Sequence, residues 1–367
     1  MILMRYFTKL FVTRFLAVLL ALSALVELLS MLDALRHLVG HHHHHSFKLV
    51  MTFTALQFPM ALEQLFLLAV LIGAVLTFRA LAQSSEMIVL RSCGMSPYRL
   101  LGSLLPVGLV LSLSYYAIVD HFAPAAERSF AIWWHDVIQA ADEDEDTPKG
   151  AIWLRDGSEV IAVQKVENDG RHLVGLTRYL RDDSGILVGR VEAKTADYQK
   201  PDWVMTDVTR VDLRNHSAVG KSSALMPAAV LQPKMLWQGG PSAKNVEELA
   251  VPTRRMQASE GRQVLAGTWS GSAGAAHYRT LVQKSYLAPL LPFLMLLLAV
   301  PALAGTGRRQ TVRGMVVSIG TGLLFLVANG FFSSMSEAAV LPPVVAVWTA
   351  PFCFFAFGFF LLLKNEE

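Results

Sequence analysis

The sequence predicts a membrane α-helical fold: six transmembrane helices, interrupted by an all-β, jellyroll-like domain. Three observations predict it. Of 367 residues, 53% are hydrophobic and only 17% charged, with a mean hydropathy of +0.42, whereas soluble globular chains carry about 25% charged residues. Six apolar runs are each long enough to cross a bilayer. Between the third and fourth runs, short apolar stretches alternate with polar residues and are broken by turn signals. The net charge of +3 is small, and no basic stripe interleaved with aromatics appears, so no nucleic-acid partner is expected. Cys93 lies in a connecting loop and Cys353 in the last apolar run, so the two are not expected to pair.

The first span covers residues 15–32 and follows Arg5, Lys9 and Arg14. It is longer than the apolar part of a signal peptide, about 7–15 residues, and runs to Asp33 without a small-residue cleavage site. Glu27 within it either faces a cavity or partner helix, or reaches the outer interface. Residues 41–45 are all histidine; no cysteine or carboxylate joins them, so a solvated loop is the reading rather than a metal site. The second span, residues 59–82, opens on Pro59 and carries Gly73 and Ala74, small enough for close helix contact. The third, residues 100–119, ends near Asp120-His121-Phe122-Ala123-Pro124.

The connection between the second and third spans predicts a short amphipathic helix over residues 84–96 at one membrane face. Met87, Ile88, Val89 and Leu90 are apolar, Glu86 and Arg91 are charged, and Gly94 and Pro97 stop it. Such a helix lies on lipid headgroups or serves as a handle for a soluble partner.

A short helix over residues 133–140 and an acidic loop at 142–146 lead into the β region. Strands are expected at 152–155 and 160–163 around Asp156-Gly157, and at 172–179 and 186–193 around Arg181-Asp182-Asp183-Ser184-Gly185. Two more are expected at 203–205 and 208–213, giving an antiparallel sandwich or jellyroll. Residues 261–276 are rich in glycine and serine and read as the link back to the membrane.

The fourth span, residues 286–304, is expected to bend at Pro289, Pro292 and Pro301. A basic loop with Arg308, Arg309 and Arg313 follows, then the fifth span at 315–332 with polar Asn329, and the sixth at 344–363 after Pro342-Pro343. Basic residues crowd the N-terminus, the second-to-third connection and the fourth-to-fifth loop. Both termini are therefore read as cytoplasmic and the β domain as facing outward. The domains are 1–124 with the short helix 84–96, 125–276, and 277–367.

No catalytic chemistry is expected. Gly220-Lys221-Ser222 looks like the end of a phosphate-binding loop, but the required earlier glycine would fall at Asn215. There is no nucleophile elbow, no zinc-protease helix and no paired Cys/His spacing. No metal or cofactor site is assigned to this chain.

The chain resembles the LptF/LptG permeases of the lipopolysaccharide exporter, and the LptG branch more than the LptF branch. The resemblance rests on Ala80-Leu81-Ala82-Gln83-Ser84-Ser85-Glu86-Met87-Ile88-Val89-Leu90-Arg91-Ser92-Cys93-Gly94, on Phe122-Ala123-Pro124-Ala125-Ala126-Glu127 and on Trp153-Leu154-Arg155-Asp156-Gly157. Gly267-Thr268-Trp269, Tyr278, Leu297, Ala299-Val300-Pro301 and Leu341-Pro342-Pro343 add to it.

The resemblance implies a multi-pass protein of the bacterial inner membrane with a periplasmic jellyroll. It implies an LptB-like ATPase dimer that holds ATP and magnesium, an LptF-like second permease, an LptC-like single-span bridge protein, and lipopolysaccharide as substrate. It implies coupling to the ATPase through Ser84, Ser85, Glu86, Met87, Ile88, Leu90, Arg91 and Gly94. A lipid cavity would be lined by the first and fifth spans, with Glu27, Leu28, Met31, Phe325, Asn329 and Phe332 as candidates. The chain departs from the family pattern at Glu27, Ser30 and Asp33, where a basic residue suited to lipid A phosphates is usual. The rival reading is a force-transmitting scaffold permease that regulates a periplasmic partner.

Overall fold

The computed structural model describes residues 2–38, 46–83, 97–141, 152–156, 159–168, 170–182, 186–213, 229–250, 256–267, 269, 271, 273–303 and 308–364. The chain divides into two compact units: Met1–Phe130 with Arg279–Glu367, and Ala131–Tyr278.

The first unit is helical because an apolar run in lipid must satisfy its own backbone hydrogen bonds. Its helices are α1 (Ile2–Leu38), α2 (Ser46–Gln83), α3 (Pro97–Ala117), the start of α4 (Ala123–Ala141), α7 (Ala275–Leu287), α8 (Leu291–Leu298), α9 (Arg308–Glu337) and α10 (Pro343–Lys364). The six expected spans are present as six helical segments long and apolar enough to cross a membrane. α2 is central to the packing: it meets α1, α8 and α9, while α10 packs on α8 and α9. The core gathers Phe11 and Phe15 of α1, Val70, Ala74 and Phe78 of α2, Leu294 and Leu298 of α8, and Phe325 of α9.

Two span boundaries differ from expectation. Pro59 lies inside α2 rather than opening it. The third span does not stop at Asp120: residues Ile118–Phe122 form a π-helical turn and the helix resumes as α4. Pro124 has no N–H for the next bond of the ladder, and the N–H of Ala123 reaches back five residues to the carbonyl of Ile118. The wider turn carries the chain past the proline without breaking the helix. The fourth span, expected to bend at its prolines, is interrupted at them by tighter turns. Pro289 lies in a 3₁₀ turn (Ala288–Leu290), Pro292 in the first turn of α8, and Pro301 in a second 3₁₀ turn (Val300–Leu303).

The second unit holds the expected β domain, among the described residues, as one antiparallel sheet of six strands in sequential order β1 to β6. These are β1 (Ile152–Asp156), β2 (Glu159–Glu167), β3 (His172–Arg181), β4 (Leu187–Gln199), β5 (Asp202–Asp212) and β6 (Ala229–Trp237). The stretches 203–205 and 208–213, expected as separate strands, belong to the single strand β5, which passes through Asp207 at φ +52°.

The buried positions change parity at the same place in three adjacent strands. They step from Leu173 to Leu176 in β3, from Ala193 to Ala196 in β4, and from Met205 to Val208 in β5. These residues stand opposite one another across the ladder. Gly175 at φ +67° and Asp207 lie on that line, where the paired register is interrupted. At one end of the sheet Trp203 is fully enclosed. It pairs with Trp237 of β6, stacks on it at 6.1 Å, and donates its Nε1–H to the carbonyl of Pro241 at 2.7 Å. Arg178 of β3 lies 4.4 Å over the Trp237 ring and grips Glu159 with Nε and Nη2 at 3.1 and 2.6 Å.

Two helices complete the unit, α5 (Ala243–Ala250) and α6 (Ala258–Leu265). The Gly/Ser-rich reading of residues 261–276 needs correcting at its start. α6 runs through Leu265, begun by a capping box between Gln257 and Glu260 and followed by Gly267 at φ +74°.

Candidate functional site

The inner face of α1 is a single seam of residues spaced by four: Phe7, Phe11, Phe15, Leu19, Ser23 and Glu27 are all buried. That spacing keeps side chains on one helix face. In its first half the seam is aromatic. Phe15 meets Phe66 of α2 edge-on at 5.2 Å, and its backbone lies where a Cβ on Gly73 would come within 2.9 Å of the Phe15 Cα. Arg14 adds a hydrogen bond to the carbonyl of Leu76 at 2.5 Å. In its second half the seam turns polar. Ser23 Oγ and both carboxylate oxygens of Glu27 are buried without a hydrogen-bond partner among the described residues. The opposite face is apolar and open, with Leu28 56% exposed. Met31 is half-buried.

α9 repeats the pattern. Phe325 is enclosed and meets Phe354 of α10 edge-on at 5.4 Å, Asn329 and Phe332 are half-buried, and Leu324, Val327 and Phe331 are exposed. The six cavity candidates are therefore divided. Glu27 and Phe325 point into helix contacts of this chain, Leu28 points away, and Met31, Asn329 and Phe332 lie at the margins. Both open faces have the chemistry of a surface that meets lipid chains or another apolar helix.

A second polar set ties α7 to its neighbours, and the sequence reading had not singled it out. Ser285 Oγ donates to Asp120 Oδ1 at 3.1 Å, and the Tyr116 hydroxyl donates to Asp120 Oδ2 at 3.3 Å. Thr280 and Ser336 hydroxyls meet at 2.6 Å, Lys284 pairs with Glu337 at 2.7 Å, and Trp348 Nε1 donates to Gln283 at 3.0 Å. One helix is thus fastened to the π-helical turn, to α9 and to α10. The signal was available: hydroxyls and one carboxylate inside apolar spans are costly unless partnered. Ser285→Ala takes one donor from a buried carboxylate and is expected to cost about 1–3 kcal/mol. Thermal unfolding in detergent checks this. A double-mutant cycle with Asp120→Asn is expected to be non-additive, because both changes touch one bond.

The coupling candidates Ser84, Ser85, Glu86, Met87, Ile88, Leu90, Arg91 and Gly94 lie outside the described residues, as does the histidine run. The described chain stops at Gln83, the end of α2, and restarts at Pro97, the start of α3. Arg313 is exposed near the start of α9.

The family described as "Lipopolysaccharide export system permease LptF/LptG" matches residues 5–364. The lipopolysaccharide export system permease protein LptG of Escherichia coli strain K12 is 23% identical over 323 residues, 86% of this chain and 85% of that protein. The LptG protein of Haemophilus influenzae is 21% identical over 324 residues, 86% of each chain.

Proposed function

This chain belongs to the LptF/LptG family of lipopolysaccharide export system permeases, and on that premise we propose that it is the LptG-type membrane subunit of an ATP-driven lipopolysaccharide exporter. The observation that carries the reading is the extent of the match: residues 5–364 run through both helical blocks and the β unit. The chain sits in the bacterial inner membrane as a multi-pass protein, with both termini cytoplasmic and the β unit in the periplasm. It is not itself an enzyme. An LptB-like ATPase dimer binds ATP and magnesium and hydrolyses the nucleotide, an LptF-like permease completes the membrane pair, and an LptC-like protein receives the lipid.

In this reading the segment 84–96 is the handle held by the ATPase. Met87, Ile88 and Leu90 fill its groove, and Glu86 forms a charge-assisted bond to a basic residue there, stronger than a neutral contact. Closure of the ATPase pulls on the ends of α2 and α3. The movement narrows a cavity between the open faces of α1 and α9 and those of the second permease. Lipid chains leave because the apolar volume available to them shrinks. The open apolar faces of α1 and α9, with Leu28, Leu324 and Val327 exposed, support the reading.

Glu86→Gln tests it in a reconstituted system that reads complex yield, ATP turnover and lipid release together. The expected result is less ATPase assembled, or hydrolysis uncoupled from release, with part of the activity restored by a matching charge change in the partner. Wild-type values on all three readouts would overturn the assignment of Glu86. ATP turnover coupled to a periplasmic partner, with no lipid released by the unaltered complex, would instead favour a force-transmitting scaffold.

A further inference from the structure

We propose that the helical unit is built as two bodies, α1 with α2 and α3 with the later helices, and that the segment 84–96 spans the seam between them. The inference deepens the export reading and rests on it only for what the movement achieves.

α1 is fixed to α2 at backbone level. A Cβ on Gly73 would lie 2.9 Å from the Phe15 Cα and 3.1 Å from its nitrogen, so the two main chains touch with no side chain between them. About one turn nearer the end of α2, Arg14 donates to the carbonyl of Leu76. A charged donor makes the stronger kind of hydrogen bond, and main-chain atoms have no rotamer that could turn away.

The other body is tied by hydrogen bonds and by one further backbone contact. Ser112 of α3 donates to the Pro289 carbonyl at 2.6 Å, and Asp120, on the π-helical turn that follows α3, accepts from Ser285 of α7. Ser318 of α9 donates to the Ala299 carbonyl at 3.2 Å. Gly314 of α9 lies against the Pro301 carbonyl, and Ser336 meets Thr280. α3 is therefore fastened to the fourth span, and α9 is fastened to the same span near both of its ends.

Contacts of another kind cross the seam. Phe66 of α2 meets the Tyr115 ring of α3 at 5.2 Å, and the end of the Leu71 side chain fills the space over Gly322 of α9. Apolar contact of this sort has no fixed direction, and a leucine end turns as packed helices shear past each other. α2 leads into the segment 84–96 and α3 leads out of it, so the two ends of that segment belong to different bodies. A pull on it shifts one body along the other and carries α1, one wall of the lipid cavity, past α9, the other.

Two cysteine pairs in the reconstituted complex test this. Phe15→Cys with Gly73→Cys bridges α1 and α2, where the two Cβ positions are 3.2 Å apart. Leu71→Cys with Gly322→Cys bridges α2 and α9 across the seam, where the Gly322 Cβ position lies 3.2 Å from the Leu71 Cγ, one bond from its Cβ. Both separations are close to the ~3.5–4.5 Å between the Cβ atoms of a disulfide. The unaltered chain, which keeps Cys93 and Cys353, is oxidised alongside. Cross-linking yield is read without nucleotide and with vanadate trapping, and lipid release per ATP before and after oxidation. The first pair should cross-link equally in both states, and its bridge should leave release unchanged. The second should differ between the states, and its bridge should cut release at least about tenfold until it is reduced. Arg14→Met should lower release per ATP at least about fivefold with ATP turnover kept, and the first bridge should restore it, because a covalent tie replaces the lost bond.

A first pair that does not bridge, or whose yield changes with nucleotide, overturns the proposal. So does a second pair whose yield is the same in both states or whose bridge leaves release intact, and so does an Arg14→Met defect that the first bridge fails to repair. Where a reduced pair already releases nothing, its yields in the two states decide. No lipid released by the unaltered complex would fail the export reading, and the cross-linking yields would still decide this one.

Discussion

Trp203→Ala is expected to unfold the β unit. The indole is fully buried, stacked on Trp237, 5.0 Å from the Tyr198 ring, and bonded to the Pro241 carbonyl. Truncating a buried tryptophan costs about 3–5 kcal/mol, and the carbonyl left without its donor adds about 1–3 kcal/mol. A domain holds about 5–15 kcal/mol in all, so this one change removes a large share. Hydrogen exchange across β4, β5 and β6 should lose most of its protection, while exchange in α2 and α8 stays slow. Trp203→Phe keeps the ring and loses the bond, so it should fall between the two. Unaltered exchange in Trp203→Ala would mean that the sheet does not depend on this residue.

Gly314→Ala is expected to be the most damaging single methyl in the helical unit. A Cβ at Gly314 of α9 would overlap the carbonyl oxygen of Pro301 and lie 2.9 Å from its carbonyl carbon and 3.3 Å from the Ala302 Cα. These are backbone atoms of a 3₁₀ turn, so no rotamer change relieves the clash. Overpacking of this kind costs about 1–3 kcal/mol or more. Gly320 supplies the control on the same helix: nothing lies within 4 Å of a Cβ there. Replacing it with alanine should be neutral or stabilise by up to about 1 kcal/mol through helix propensity. Helical circular dichroism on heating in detergent should give a lower melting temperature for Gly314→Ala and an unchanged or higher one for Gly320→Ala. Equal values for the two would show that α9 does not need the close approach.

The spans were legible because a bilayer imposes a length and an apolar composition that a sequence states openly. Their exact ends were not. Asp120 reads as an exit from the membrane until its bonds to Ser285 and Tyr116 are known, and Ser285 comes from a distant part of the chain. Strands β1 to β4 were legible from paired apolar stretches around turn signals. β6 was not foreseen. It lies at the sheet's end, its residues from Ala229 to Lys234 are exposed, and the buried-exposed alternation that marks a strand is missing. α6 carried a readable start in Gln257 and Glu260, hidden by the glycine and serine that follow. Of the candidate site, the position of Glu27 on a polar stretch of the α1 seam could not be read from Glu27 alone. It required the four-residue spacing back to Phe7 to be seen as one buried line.

The sequential strand order of the sheet bears on how the chain acquires its shape. Among the described residues each strand pairs with its neighbours in the chain, so every such pairing closes a short loop, the longest being the stretch between β5 and β6. Low contact order of this kind makes folding fast, since little chain entropy is lost before each contact is gained. A hairpin such as β3–β4 can form as soon as its own residues are free, and β5 then adds to an existing edge. No step waits for the far end of the chain to arrive, so the sheet can grow strand by strand in the order of synthesis.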